Sequence, residues 1–197
     1  YRYEEAIAAY ENFKLNGGRS SWNNAKGDLL IKMCRNGIMV KNDLSMNRHR
    51  ILEKAEIEGA DFYTLYKNLN DWGRFLKLPK EYEDKNTKER PESAYLFLAT
   101  KGNVMMYANT GKSSDRGFDV FKVIKDQKGL WTFPEALAEI INTSGDEAFP
   151  VIINEGKTIF FSSRGDRSTG GYDVFRSDLN EGTGTWSEPV SLGPPVN

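Results

Sequence analysis

The sequence predicts a mainly β chain with an α-helical N-terminus, in which two four-stranded antiparallel blades of an incomplete β-propeller follow a helical hairpin. Three observations carry this. Shifted against itself by 54 positions, the sequence lays residues 92–122 on 146–176 without a gap. Gly102 then meets Gly156, Gly111 meets Gly165, and "GFDVFK" (117–122) meets "GYDVFR" (171–176). After one inserted residue, Trp131 meets Trp186, Pro134 meets Pro189, Leu137 meets Leu192 and Asn142 meets Asn197. Finally, "TIFFS" (158–162) is apolar at the consecutive positions Ile159, Phe160 and Phe161. A strand with one wet face alternates, so an unbroken run calls for burial on both faces, as in a blade held between neighbours.

Each unit divides in the same order. In the second, "EAFPVII" (147–153) reads as the first strand, "NEG" as a turn, "KTIFFSS" (157–163) as the second strand and "YDVFRSD" (172–178) as the third. "WSEPVSLG" (186–193) holds a short fourth strand, with Pro189 where an edge tolerates it. Gly117 and Gly171 fall in the tight connection before the third strand, where Gly170 and Gly171 are expected to supply positive φ. Asp119 and Asp173 start that strand and are expected to accept backbone N–H groups of the turn. Gly117, Asp119, Trp131, Pro134, Gly171, Asp173, Trp186 and Pro189 are therefore assigned as structural residues of the repeat, setting backbone geometry and core.

"SSRGDRSTGGYDVFRSD" (162–178) also contains Arg164-Gly165-Asp166, which is not repeated, since Thr110, Gly111 and Lys112 align with it. Arg164, Asp166 and Arg167 make up the candidate partner-facing loop. An adhesive role for the tripeptide competes with a plain turn, and tripeptides recur by chance. Asp166, Asp173 and Asp178 lack the alternating carboxylate spacing of an EF-hand calcium loop.

Upstream of the repeats the periodicity changes. "YRYEEAIAAYENF" places Tyr3, Ile7, Tyr10 and Phe13 on one helical face. A second helix, capped by Ser20 or Ser21 and ending near Gly37, carries Trp22, Ala25, Leu29, Met33 and Cys34, with Cys34 as a small core residue. The helical segment spans 1–45, a connecting segment 46–91, and the blades 92–145 and 146–197. Within the connection, "ILEKAEI" is strand-like, and Phe62, Tyr63, Tyr66, Trp72 and Phe75 form an aromatic cluster read as core packing in preference to a carbohydrate platform. His49, between two arginines, is expected to be exposed, and the charge-dense stretch 77–92 reads as a linker.

The composition excludes several function classes. Lys and Arg number 27 against 28 Asp and Glu, a net charge of −1, so no global basic field recruits nucleic acid. One cysteine forbids an intramolecular disulfide, and one histidine forbids a His-rich metal site. No apolar run is long enough to cross a membrane. There is no G-x-S-x-G, no Walker loop and no H-E-x-x-H, so no catalytic, cofactor-binding or metal residue is assigned and the chain reads as non-enzymatic. Asp146 and Glu147 align with Glu92 and Ser93 and belong to the blade pattern rather than to acid–base chemistry. Asn142-Thr143-Ser144 is a formal glycosylation sequon in the connection between blades and is read as accidental. The chain starts mid-pattern, on Tyr1, as a piece of a longer precursor would, and a third blade is expected beyond Asn197.

The string W-x-x-P … L … I-N-T … D-E-A-F-P … E-G-K-T-I-F-F-S-S-R … G-G-Y-D-V-F, from Trp131 to Phe175, resembles the TolB-like, PD-type β-propeller repeat, related in architecture to WD-repeat propellers. "NTSGDEAFP" and "GGYDVFRS" are similar to propellers of large cell-envelope proteins of the Bacteroidota, and "YEEAIAAYENF" resembles a tetratricopeptide helix. In that group such blades sit between a tetratricopeptide region and an OmpA-like peptidoglycan-binding domain, and some members serve gliding motility and type IX secretion. The resemblance implies a non-catalytic interaction or scaffold module of the periplasm or outer-membrane-associated envelope. Its partners would be other envelope proteins, with peptidoglycan only through an OmpA-like domain outside this chain. Two other readings stay open: the propeller portion of a secreted peptidase or glycan-degrading enzyme, and a ligand-binding surface propeller.

Overall fold

The structure, a computed structural model, describes residues 2–43, 71–85, 87, 90, 94–111 and 117–197. His49, the "ILEKAEI" stretch, Phe62, Tyr63 and Tyr66 lie outside the described residues. Among the described residues three α-helices come first, α1 (Tyr3–Asn16), α2 (Arg19–Asn24) and α3 (Gly27–Asn42). Two antiparallel sheets follow. The first is ordered β1 (Gly73–Lys77), β2 (Tyr95–Ala99), β3 (Val104–Asn109), β4 (Asp119–Ile124), β5 (Glu135–Ala136). The second is β6 (Glu147–Ile153), β7 (Thr158–Ser163), β8 (Asp173–Asn180) and β10 (Val190–Ser191), with β9 (Thr185–Trp186) also on β8. Among the described residues the two sheets do not form a closed ring, and no helix is long and apolar enough to cross a membrane.

The internal repeat reappears as bonds. Phe121 faces Ala136 as Phe175 faces Ser191, and Lys125 bridges Trp131 as Leu179 pairs with Trp186. The strongest echo is a side chain. Asn142 accepts the Val120 N–H at 2.8 Å and donates to the carbonyls of Val120 at 3.1 Å and Leu137 at 2.9 Å. Asn197 does the same to Val174, accepting at 2.7 Å and donating at 3.0 Å. In each unit an amide completes the third strand as one further residue of a neighbouring strand would, giving the Val120 and Val174 N–H groups an acceptor and sharing their carbonyls with the Leu137 and Leu192 N–H groups.

The sheets stack by opposite faces. Phe97, Met106 and Val120 of the first meet Ile152, Ile159, Phe161 and Phe175 of the second in one core. By the repeat, the face of Met106, Ala108 and Val120 corresponds to that of Phe160, Ser162 and Val174. The packing is thus head to tail, and each fully buried Phe or Met contributes about 1.5–3 kcal/mol. The other face of the first sheet holds Leu96, Met105, Tyr107 and Val123, packed under Leu78 and Tyr82. β3 is therefore buried on both sides, as its apolar run requires, whereas in β7 Phe160 remains half-buried.

Four expectations need correction. The stretch 77–92 is not a bare linker over its described residues. Asp84 accepts the Thr110 N–H at 2.7 Å and hydroxyl at 2.8 Å, Asn109 donates to the Tyr82 carbonyl at 3.0 Å, and the segment straps the first sheet, which begins upstream at Gly73. Charge density misled because the apolar residues needed to cover a sheet face are few, Leu78 and Tyr82. Gly37 does not end a helix. A Cβ there would lie 2.4 Å from the Tyr3 ring, so the residue is small to let α1 approach α3, which continues to Asn42. Ser20 and Ser21 lie inside α2, whose N-cap is Gly18, and α3 starts after a left-handed Lys26. In the aromatic cluster, Phe75 packs on Phe97 with ring centroids 5.2 Å apart, but Trp72 is exposed.

Replacing Asn142 by Ala strands the Val120 N–H and the Leu137 carbonyl, while the Val120 carbonyl keeps the Leu137 N–H, and stability is expected to fall by about 1–3 kcal/mol. Asn142→Asp, which keeps the acceptor and loses the donor, should also be destabilising. Urea midpoints equal to the parent chain's in both variants would contradict the clamp.

Candidate interaction site

Among the described residues, polar side chains converge where the β7–β8 loop meets the joint between the sheets and α3. The joint comes first. Asp146 accepts the Phe118 N–H at 3.0 Å, and the next residue, Glu147, donates its own N–H to the Phe118 carbonyl at 2.7 Å. The fully buried Glu147 carboxylate takes the Thr143 N–H at 2.7 Å, the Thr143 hydroxyl at 2.8 Å and the Ser163 hydroxyl at 2.6 Å. Burial raises its pKa above the ordinary value, opposed by these three donors and helped by the charge of Asp119. A Cβ on Gly165 would come 2.3 Å from the Thr143 hydroxyl, so only glycine allows the two connections to touch.

From there the loop is fixed at every charged residue. Arg164 lies 4.4 Å over the Tyr172 ring and 3.9 Å from Asp146, Asp166 pairs with Lys32 of α3, and Arg167 donates to Glu188 at 2.9 Å and to the Ile140 carbonyl at 3.1 Å. Asn36 of α3 donates to the carbonyls of Asp166 at 2.8 Å and Ser168 at 3.1 Å. The Arg-Gly-Asp sequence is thus partly solvent-facing but bonded within the chain. Asp166, Asp173 and Asp178 serve different partners, Lys32, the Thr169 N–H and the Thr158 hydroxyl, and do not converge. Beside the loop, Met39, Val40, Phe175, Pro189 and Ser191 line a cavity of about 610 Å³ between α3 and the second sheet.

The repeat residues divide. Asp173 is buried and accepts the Thr169 N–H, as its place in the turn predicts, while Asp119 lies within electrostatic reach of Glu147. Gly117 adopts φ +86°, but Gly170 and Gly171 have no positive φ: the Thr169–Asp173 bond turns this connection, and glycine's extra conformations are not used. Trp186 packs on the common core, whereas Trp131 is exposed and holds Lys125 4.9 Å over its ring. Pro189 is buried and Pro134 exposed. Cys34 is half-buried with its thiol pKa pushed up by burial, the opposite of an activated thiolate. The roles of Lys32 and Asn36 went unread in the sequence, because no local pattern marks a helix that bonds a loop 130 positions away.

No family model, curated protein or solved structure matches this chain.

Asp173→Ala is expected to lower stability by roughly 1–3 kcal/mol, because the Thr169 N–H loses its acceptor; an unchanged thermal midpoint would refute that role. For Glu147 the folded chain holds the proton more tightly than the unfolded chain. Its contribution to stability is therefore present below the ordinary carboxyl pKa of 4.5 and lost as pH rises from there through the raised folded value. The stability difference between the parent chain and Glu147→Gln, measured by urea unfolding across pH, should shift against the parent over that window, and a flat difference would contradict it.

Proposed function

We propose that this chain is a non-catalytic interaction module of a bacterial cell-envelope protein, part of a propeller whose blades stack head to tail on a helical segment of tetratricopeptide type. One observation carries the reading. The first sheet uses its Met106–Val120 face to bind the second, and the equivalent face of the second, with Phe160, Ser162 and Val174, is only half-buried. A heterologous contact of this kind propagates, since the face used once is offered again by the next unit. The occupant on this reading is a further unit of the same repeat.

The helices fit a scaffold role as well. They reach the second unit through the Lys32, Asn36 and β7–β8 loop contacts, which set the two parts against each other beside the 610 Å³ cavity. Periplasmic or outer-membrane-associated placement, other envelope proteins as partners, and service in a secretion or gliding assembly belong to the same proposal and rest on the resemblance of the repeat. Peptidoglycan attachment would need an OmpA-like domain outside this chain.

The reading predicts that residues 1–197 alone bind a hydrophobic dye or self-associate in sedimentation, and that Phe160→Lys reduces both. A monomer that binds no dye would overturn the open-face reading. Purification of the protein from envelopes with stable protein partners supports a scaffold, and turnover of peptide or glycan substrates would replace it with an enzyme.

A further inference from the structure

Both units close a hairpin after their third strand, the second one residue longer, and build it from different residues. In the first, Asp126 organises the turn, accepting the N–H groups of Lys128 at 2.8 Å and Leu130 at 2.9 Å. In the second, Asn180 accepts those of Gly182 at 2.9 Å and Thr183 at 3.3 Å. Between these equivalent turns the surface chemistry inverts. Leu130 and Phe133 of the first unit stand where the second has Thr185 and Glu188, and Ile124 stands where it has Asp178. Leu130 is 64% exposed, Phe133 94% and Trp131 38%. Lys125 sits over Trp131, and Lys128 lies in the turn beside it. The only acid in the turn, Asp126, is committed to its backbone. The second unit shows that the fold does not require the apolar side chains, so their exposure calls for another reason.

We propose that this hairpin docks on an anionic lipid surface, with Leu130, Trp131 and Phe133 entering the interfacial layer and Lys125 and Lys128 meeting the headgroup phosphates. Three apolar side chains on a turn fall far short of the roughly 800 Å² that a stable protein interface takes from each partner. A membrane interface needs no such area. Trp favours that layer, a few apolar side chains insert shallowly, and lysines beside them gain from the negative surface potential. The second hairpin has the opposite chemistry: in place of exposed apolar side chains it carries Asp178, Glu181 and Glu188, paired with Arg176, Lys157 and Arg167.

Co-sedimentation of the 197-residue chain with phosphatidylcholine vesicles, with and without phosphatidylglycerol, tests this. The parent chain should bind the phosphatidylglycerol vesicles and be released by added salt. Leu130→Thr with Phe133→Glu, residues the second unit already carries, should keep the urea midpoint and lose binding about tenfold or more. Lys125→Gln with Lys128→Gln should weaken binding to anionic vesicles about tenfold while leaving the fold intact. Equal binding by the parent and the Leu130/Phe133 variant, or no preference for anionic vesicles, would overturn the proposal. So would self-association abolished by the same substitutions without vesicle binding, which would make a second copy the occupant.

Discussion

A single dipeptide, Asp146-Glu147, holds the architecture at its joint. The Asp146 side chain and the Glu147 backbone grip both polar groups of Phe118, just before β4, while the Glu147 side chain ties Thr143, in the connection before β6, to Ser163 at the end of β7. A buried carboxylate is tolerated only when its lone pairs are satisfied, and here three donors do so. Because those donors come from the connection before β6 and from the end of β7, satisfying the charge also fixes where the β7–β8 loop starts. The position of that loop then decides what α3 can reach.

Around this joint the two units solve the same backbone problem in the same way and their surroundings in different ways. Both end their third strand against an Asn amide, and both pair a Trp-bearing limb with it. Yet the first unit is covered by its own upstream strap, while the loop of the second is bonded by a helix. β6, whose counterpart β2 is flanked by β1, carries a bulge with Phe149 at φ +52° next to Pro150. A bulge and a proline are devices by which sheets keep an edge strand from pairing with strangers. The exposed Lys32–Asp166 pair adds at most about 1 kcal/mol. The attachment of α3 therefore depends more on the two Asn36 bonds, which are part-buried and read backbone carbonyls rather than charge.

The sequence by itself determined the repeat and its strands. Gly102 and Gly156, 54 positions apart and both at positive φ, and Asn142 and Asn197, 55 apart and both bonded to the third strand, reflect backbone geometry and hydrogen bonding that both copies satisfy, so the pattern survives without any knowledge of neighbours. The apolar run that called for burial on both faces is met only in part in β7, where Phe160 stays half-buried, and more fully in its counterpart β3. Only the tertiary structure decided which surface covers each face, because hydrophobic burial is non-directional and any complementary surface will serve. That is why a charge-dense stretch could become the strap, why Gly37 marks a helix contact and not a helix end, and why equivalent tryptophans end in different places. The Arg-Gly-Asp loop shows the same division: its residues were visible in the chain, but their partners, Lys32, Asn36 and Glu188, are distant in sequence and were chosen by packing.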